Sequence, residues 1–233
     1  MTKTDGLTPT SKTVYTATMM EQPLTLKSLA SRLGMESHSV AKHCKELEKL
    51  GWMRIEGARN ARRPVAIVPK EVEAKLAAET REQIELKPYQ GEATAQWFVA
   101  WILAPSVRIL FNVRPPVLQN KATGQNLELD IWVPDHNWAE EYQGDQHFGP
   151  TEHYKGHQEF IERYRRDRLK AELCKENGIR LSQVTKHDLT LRKMLETIPE
   201  DIPRRTFDPD GPYIKMLERL GQKVAEGRDW DRE

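Results

Sequence analysis

The sequence is short of cysteine, of long apolar runs and of net charge. Its two cysteines, Cys44 and Cys174, lie far apart in a chain of 233 residues. That usage fits a reducing compartment and offers no disulfide framework. No apolar run approaches the ~18 residues a membrane span needs, and the opening MTKTDGLTPTSK has no apolar segment of the secretory type. Neither an internal repeat nor a low-complexity tract is present. A cytoplasmic protein without membrane contact is expected.

What is present suffices for a core. Hydrophobic residues make up 38% and charged residues 30% of the chain, which excludes wholesale disorder. Lys and Arg number 36 against 35 Asp and Glu, but the near neutrality hides an asymmetry. Residues 1–68 carry 11 Lys and Arg against 6 Asp and Glu; the remainder carries 25 against 29. A basic front half suits a polyanion. An acidic remainder suits either metal-binding carboxylates or a solvated surface.

The front half predicts three short helices and a β-hairpin. The first helix covers about Ser11 to Glu21. Thr25 caps the second, which carries Leu26, Leu29 and Leu33 before Gly34 ends it. The third opens near Ser37 and places Val40, Cys44, Leu47 and Leu50 on one face, with Gly51 as its stop. Two strands, Trp52 to Glu56 and Val65 to Val68, flank the turn GARNARRP. This order resembles the winged helix-turn-helix regulators, including the MarR-like group. In such folds the third helix enters the major groove. The resemblance therefore assigns DNA contacts to Ser37, His38, Ser39, Lys42 and Lys45, with Ala41 between them, and backbone or minor-groove contacts to Arg59, Asn60, Arg62 and Arg63. A winged helix used for protein contacts is the alternative. His38 and His43 read as surface donors.

Lys70 to Leu86 predicts a linking helix with Val72, Leu76 and Ile84 apolar, broken by Lys87, Pro88, Tyr89 and Gln90. The expected domains are a winged helix at 10–69, a linker helix at 70–90, a second domain at 91–186 and a helical extension at 187–233. Beyond the linker come an apolar helix, Glu92 to Leu103, and strands Val107 to Val113, Leu127 to Val133 and Trp138 to Gln143. A charged helix at about Gln158 to Asn177, a strand Ile179 to Val184 and helices Asp188 to Thr197 and Pro212 to Ala225 follow. The class is α/β, more specifically α+β, with an αβββαβ core and a helical tail.

The informative stretch is LELDIWVPDHNWAEEYQGDQHF. Leu127, Leu129, Ile131 and Val133 share one strand face, so Asp130 points the other way. The turn PDHN leads into WAEEYQ, where Glu141 and Gln143 share a face. Two adjacent strands thus bring Asp130, Glu141 and Gln143 to one point. Clustered carboxylates repel unless a cation sits between them, and hard oxygen donors suit Mg²⁺ or Mn²⁺. Exposed strand-end acids are the bland alternative.

An Asp followed about ten residues later by Glu-x-Lys or a variant is the signature of the PD-(D/E)xK nucleases, and this stretch resembles it. The fuller pattern is similar to the very-short-patch-repair-like endonucleases and to restriction and mobile-element nucleases. It comprises Glu92 early in an apolar helix, Asp130, the run Glu141-Tyr142-Gln143-Gly144-Asp145-Gln146-His147, and RYRRDRLKAELCKENGIRLSQV. The resemblance covers about Gly91 to Val184. It implies cleavage of DNA phosphodiesters, with Mg²⁺ or Mn²⁺ held by Asp130 and Glu141 and by Glu92 directly or through water. His147 would orient or deprotonate water. Arg163, Asp167 and Lys170 would face the DNA backbone or the metal shell.

Gln143 stands where the family usually has Lys, so it can position water but supplies no positive charge. A DNA-binding regulator or a recombination or transposition subunit with a decayed nuclease fold is the rival reading. Ile214, Leu217, Leu220 and Val224 form an apolar stripe on the tail helix, suited to ordinary packing or to a homodimer. Trp97 and Trp101 read as core rather than as base-stacking platforms. Zinc would need His147, His153, His157 and Cys174, with no Cys-x-x-Cys pattern to support it. A bacterial or phage-type, DNA-associated protein is expected.

Overall fold

The computed structural model describes residues 6–20, 24–58, 61–144 and 157–227. The protein is mixed α and β and divides into two compact units. The first comprises 1–78, 102–106 and 203–213; the second comprises 79–101, 107–202 and 214–233. Neither unit is one continuous stretch, so the boundaries expected at 69, 90 and 186 do not coincide with this division.

The first unit holds α1 (Pro9–Met20), α2 (Leu26–Leu33), α3 (Ser37–Lys49), and an antiparallel hairpin of β1 (Met53–Glu56) and β2 (Arg63–Ala66). The local signals read from the sequence act as expected. Thr25 caps α2 by accepting from the Ser28 N–H at 3.1 Å. Gly34 ends it at φ 60°, a conformation glycine adopts freely. Val40, Cys44 and Leu47 lie buried one or two turns apart and pack with Val14, Tyr15, Leu29, Trp52 and Met53. Tyr15 meets Trp52 edge-on, ring centres 5.4 Å apart.

Leu50 departs from the expected apolar face. It caps α3 and is 48% exposed, because Gly51 at φ 76° turns the chain before the stripe completes another turn. The helix α4 (Lys70–Glu85) also differs. Leu76 is exposed, whereas Glu73 and Ala77 are buried. Glu73 accepts from the Tyr213 N–H at 3.0 Å, within the first unit.

The second unit is built from α5 (Gln90–Ile102), β3 (Leu110–Val113), β4 (Leu129–Val133), β5 (Trp138–Gln143), α6 (His157–Glu176) and β6 (Arg180–Thr185). That is the expected αβββαβ order, although β3 is shorter than the sequence suggests. The sheet runs β3-β4-β5-β6, with β3, β4 and β5 antiparallel and β6 parallel to β5. In β4 the side chains alternate between buried Leu129, Ile131 and Val133 and half-buried Asp130 and Trp132. Two more helices, α7 (Leu191–Thr197) and α8 (Pro212–Ala225), follow.

Ile214, Leu217 and Leu220 of α8 are buried inside this single chain. Leu189 fits against Gly221, where any Cβ would overlap its backbone. The stripe considered for a homodimer is therefore occupied by the protein's own core, and that expectation loses its basis. Trp101 is buried as expected, and Trp97 is half-buried. Both cysteines are free thiols in core positions. No helix among the described residues is long and apolar enough to cross a membrane.

Candidate functional site

The strand pairing brings Asp130 and Glu141 together. Ile131 pairs with Glu140 and Trp132 with Ala139, so continuing the ladder by one step sets Asp130 opposite Glu141. Cross-strand neighbours of this kind lie on one face, within side-chain reach. The hydrogen bonds agree. The Asp130 N–H donates to Glu141 Oε1 at 3.3 Å, and the Tyr142 N–H donates to Asp130 Oδ2 at 2.8 Å. Each carboxylate is thus held by the backbone of the opposite strand.

Glu92 approaches from the first turn of α5. The Gln96 side-chain N–H₂ lies 3.1 Å from Glu92 Oε1 and 3.3 Å from the Asp130 carbonyl. It also donates to Asn112 Oδ1 at 2.6 Å. Gly91 is the reason α5 can lie so close. A Cβ there would overlap the Tyr142 hydroxyl and displace that side chain, so glycine is favoured by space rather than by backbone conformation.

From α6, the Lys170 ammonium forms an ion pair with Glu141 Oε2. The carboxylates retain high proton affinity despite it. Burial, then the charge of Asp130, pushes the Glu141 carboxyl up to about 7 against the pull of Lys170. The same two causes raise Glu92, with the Asn112 and Gln96 amides opposing them. Gln143 is half-buried on the Glu141 side of β5, paired with Thr185.

Among the described residues, no three His, Cys, Asp or Glu side chains converge as a ready-made metal cage. The donor chemistry nevertheless fits a hard cation. Mg²⁺ commonly takes only one or two carboxylates, completing its shell with water and substrate phosphate. Here two carboxylates share one face and a third stands beside them, and burial, then the charge of Asp130, disfavours the ionised form of both Glu141 and Glu92. Asp130 and Glu141 would hold such an ion, with Glu92 within reach of a bridging water.

His147 lies outside the described residues, as do Arg59 and Asn60. Arg163 and Asp167 belong to α6, as does Lys170, which pairs with Glu141. Of the zinc candidates, His147 and His153 lie outside the described residues, and Cys174 has its thiol pushed up to about 11, first by burial and then by Glu141.

The sequence reading missed Glu140. Adjacent residues of a strand face opposite ways, so Glu140 lies behind the site, fully buried. Its Oε2 is 2.6 Å from Thr197 Oγ1, and burial pushes its carboxyl up to about 7. Consecutive Glu residues in a strand covered on both faces were the available signal. Gln96, one helical turn after Glu92, and Asn112 were also missed.

On the first unit, α3 presents a shallow groove lined by His38, Ala41, Lys42, Lys45, Glu46 and Lys49. His38, Lys42, Lys45 and Lys49 repeat at helical spacing and are exposed, as are Ser37, Arg62 and Arg63; Ser39 is half-buried. Lys49 extends the cationic row beyond the expected residues. His43 instead turns toward Ser11 Oγ, 3.0 Å away, and Glu46.

No protein-family model matches the chain, and no solved structure matches it. The chain is similar to uncharacterized protein 033L of Invertebrate iridescent virus 3, 36% identical over 97 residues. That match spans 41% of this chain and 48% of the relative. It is also similar to uncharacterized protein 307L of Invertebrate iridescent virus 6, 31% identical over 120 residues, or 44% of this chain and 59% of the relative. The chain thus spans about half the length of these curated relatives.

Proposed function

We propose that the chain is a DNA endonuclease of the PD-(D/E)xK type, dependent on Mg²⁺ or Mn²⁺. One observation carries this reading: Asp130 and Glu141 sit opposite each other on β4 and β5, within an αβββαβ order, with Glu92 beside them. A bound divalent cation supplies Lewis-acid polarisation of the phosphate and a lowered pKa for water.

The chain's own residues do the rest. Asp130 and Glu141 fix the ion's place. Gln143 offers an amide to orient the attacking water. Lys170 supplies the positive charge that Gln143 lacks, from a helix rather than from the strand. In-line attack on phosphorus then releases the 3′ oxygen, leaving 5′-phosphate and 3′-hydroxyl ends. His147 remains a candidate for handling the water proton. The row on α3, with Arg62 and Arg63 on the hairpin, supplies phosphate and groove contacts that hold duplex DNA. A restriction, repair or mobile-element role and a DNA-associated, cytoplasmic location belong to this reading.

The Lys170–Glu141 ion pair also supports the rival, a DNA-binding regulator or recombination subunit with a decayed nuclease fold. An ammonium seated on a would-be metal ligand satisfies that carboxylate without a metal. Cleavage assays on duplex, nicked, branched and mismatched DNA with Mg²⁺, Mn²⁺ or EDTA separate the two. Metal-dependent cutting supports the enzyme; binding without cutting on every substrate supports the regulator.

A further inference from the structure

Asn112 is one of two residues other than glycine with positive φ among those described, at 51°. The other, Asn137 at φ 47°, follows a tight turn, where that conformation is ordinary. Asn112 instead lies inside strand β3. The β3–β4 ladder pairs Leu110 with Trp132, Phe111 with Ile131 and Val113 with Leu129. The register does not slip, so the skipped position is Asn112 opposite Asp130. The strand therefore leaves regular conformation at the point that faces a candidate metal ligand. β3 is the sheet edge and Asn112 is exposed, so core packing does not require the distortion. Strain that packing does not demand points to function.

What the distortion achieves is visible in the side chains. Asn112 Oδ1 takes the Gln96 N–H₂ at 2.6 Å, and the same nitrogen lies within hydrogen-bonding distance of Glu92 and of the Asp130 carbonyl. We infer that Asn112 and Gln96 are positioning residues, which together hold Glu92 beside Asp130, so that Glu92 serves, through a bridging water, the cation held by Asp130 and Glu141. This rests on the nuclease reading and deepens it.

The test is Mn²⁺ titration of the full chain by calorimetry, for the parent, E92Q, N112G and E92Q/N112G. Glycine tolerates the positive φ, so N112G removes the amide while keeping the backbone path. E92Q and N112G should each weaken Mn²⁺ binding, N112G by roughly 3–15-fold, the loss expected for one hydrogen bond. The double variant should lose no more than E92Q alone, because Asn112 acts through Glu92. In cleavage, N112G should lower kcat while KM for duplex DNA holds. Q96M, which removes the other amide, should match N112G in both measurements and provides the reading if N112G folds poorly. Parent-like Mn²⁺ affinity in N112G and Q96M, or losses that multiply in the double variant, would overturn the inference alone. A parent that binds no Mn²⁺ would overturn the nuclease reading and this inference with it.

Discussion

The Lys170 ammonium rests on the Glu141 carboxylate, although 29 residues separate them in sequence. Their side chains are only 12% and 8% exposed. An ion pair so sealed is costly to break by removing one partner. Glu141 can relieve that cost by taking a proton, since its carboxyl is already pushed up to about 7. Neutralising Lys170 should therefore test chemistry more than folding. K170Q should slow cutting by about 10²–10³-fold, the range for losing one group that stabilises transition-state charge. Moving the charge to the strand, as K170Q/Q143K, should recover a substantial part of the rate. Single-turnover cleavage decides this: a double variant no faster than K170Q would show that Lys170 is not the missing cation.

Asp130 and Glu141 should be separable from DNA binding. D130A and E141A should abolish cutting at every Mg²⁺ or Mn²⁺ concentration, while duplex affinity measured with EDTA stays near the parent's. Loss of either carboxylate removes an oxygen donor that water replaces poorly at a hard-cation site. Parental cutting by either variant would show that the site is elsewhere.

This pair was legible because a strand has period two. Alternation in LELDIWV fixed the face of Asp130, and a four-residue turn fixed the register that carries Glu141 opposite. The α2 cap at Thr25 and the stop at Gly34 were legible for equally local reasons. Lys170 was placeable on a helix, but its ion pair with Glu141 depends on where α6 lies against the sheet, which no local pattern states. Leu50 was misplaced because periodicity assumes the helix continues, and Gly51 stops it. Asn112 carried no signal in the strand pattern, since period-two alternation says nothing of a single left-handed residue within a strand. Glu140 was passed over because its neighbour Glu141 explained the acidic pair.

Glu140 gives the protein a pH dependence of folding. Thr197 Oγ1 lies 2.6 Å from Glu140 Oε2 and 3.0 Å from the Met194 carbonyl, yet a hydroxyl has one proton. Thr197 thus shares its one donor between Glu140 and Met194, and Glu140 Oε1 has no hydrogen-bond partner among the described residues, so the burial of this carboxyl is only partly offset. With the folded carboxyl near 7 and an unfolded Glu near 4.3, the folded state binds more protons between those values. Stability from this group is full below the unfolded value and falls as pH rises through the window. The loss is on the order of 4 kcal/mol at most. E140Q, neutral at every pH, should flatten that part of the profile. Urea unfolding from pH 4 to 8 measures it; an unchanged slope in E140Q would place the titration on another group.

The cationic row on α3 should govern DNA affinity and its salt dependence. Lys42, Lys45 and Lys49 are exposed and line one groove, whose one acidic lining residue among those described is Glu46. Each lysine that neutralises a phosphate releases counterions, so the slope of log affinity against log salt should shrink by roughly 0.9 for every phosphate left without its lysine. Binding by the full chain, in EDTA to suppress cutting, is the appropriate measurement, because the first unit includes residues 102–106 and 203–213 and is not reproduced by residues 1–68. K42Q/K45Q/K49Q should weaken duplex binding and flatten the slope by about two to three, while metal binding at the second unit is unchanged. R62Q/R63Q on the hairpin should act in the same direction. If the triple lysine variant keeps the parental slope, α3 does not face the DNA backbone, and the first unit serves a protein partner instead.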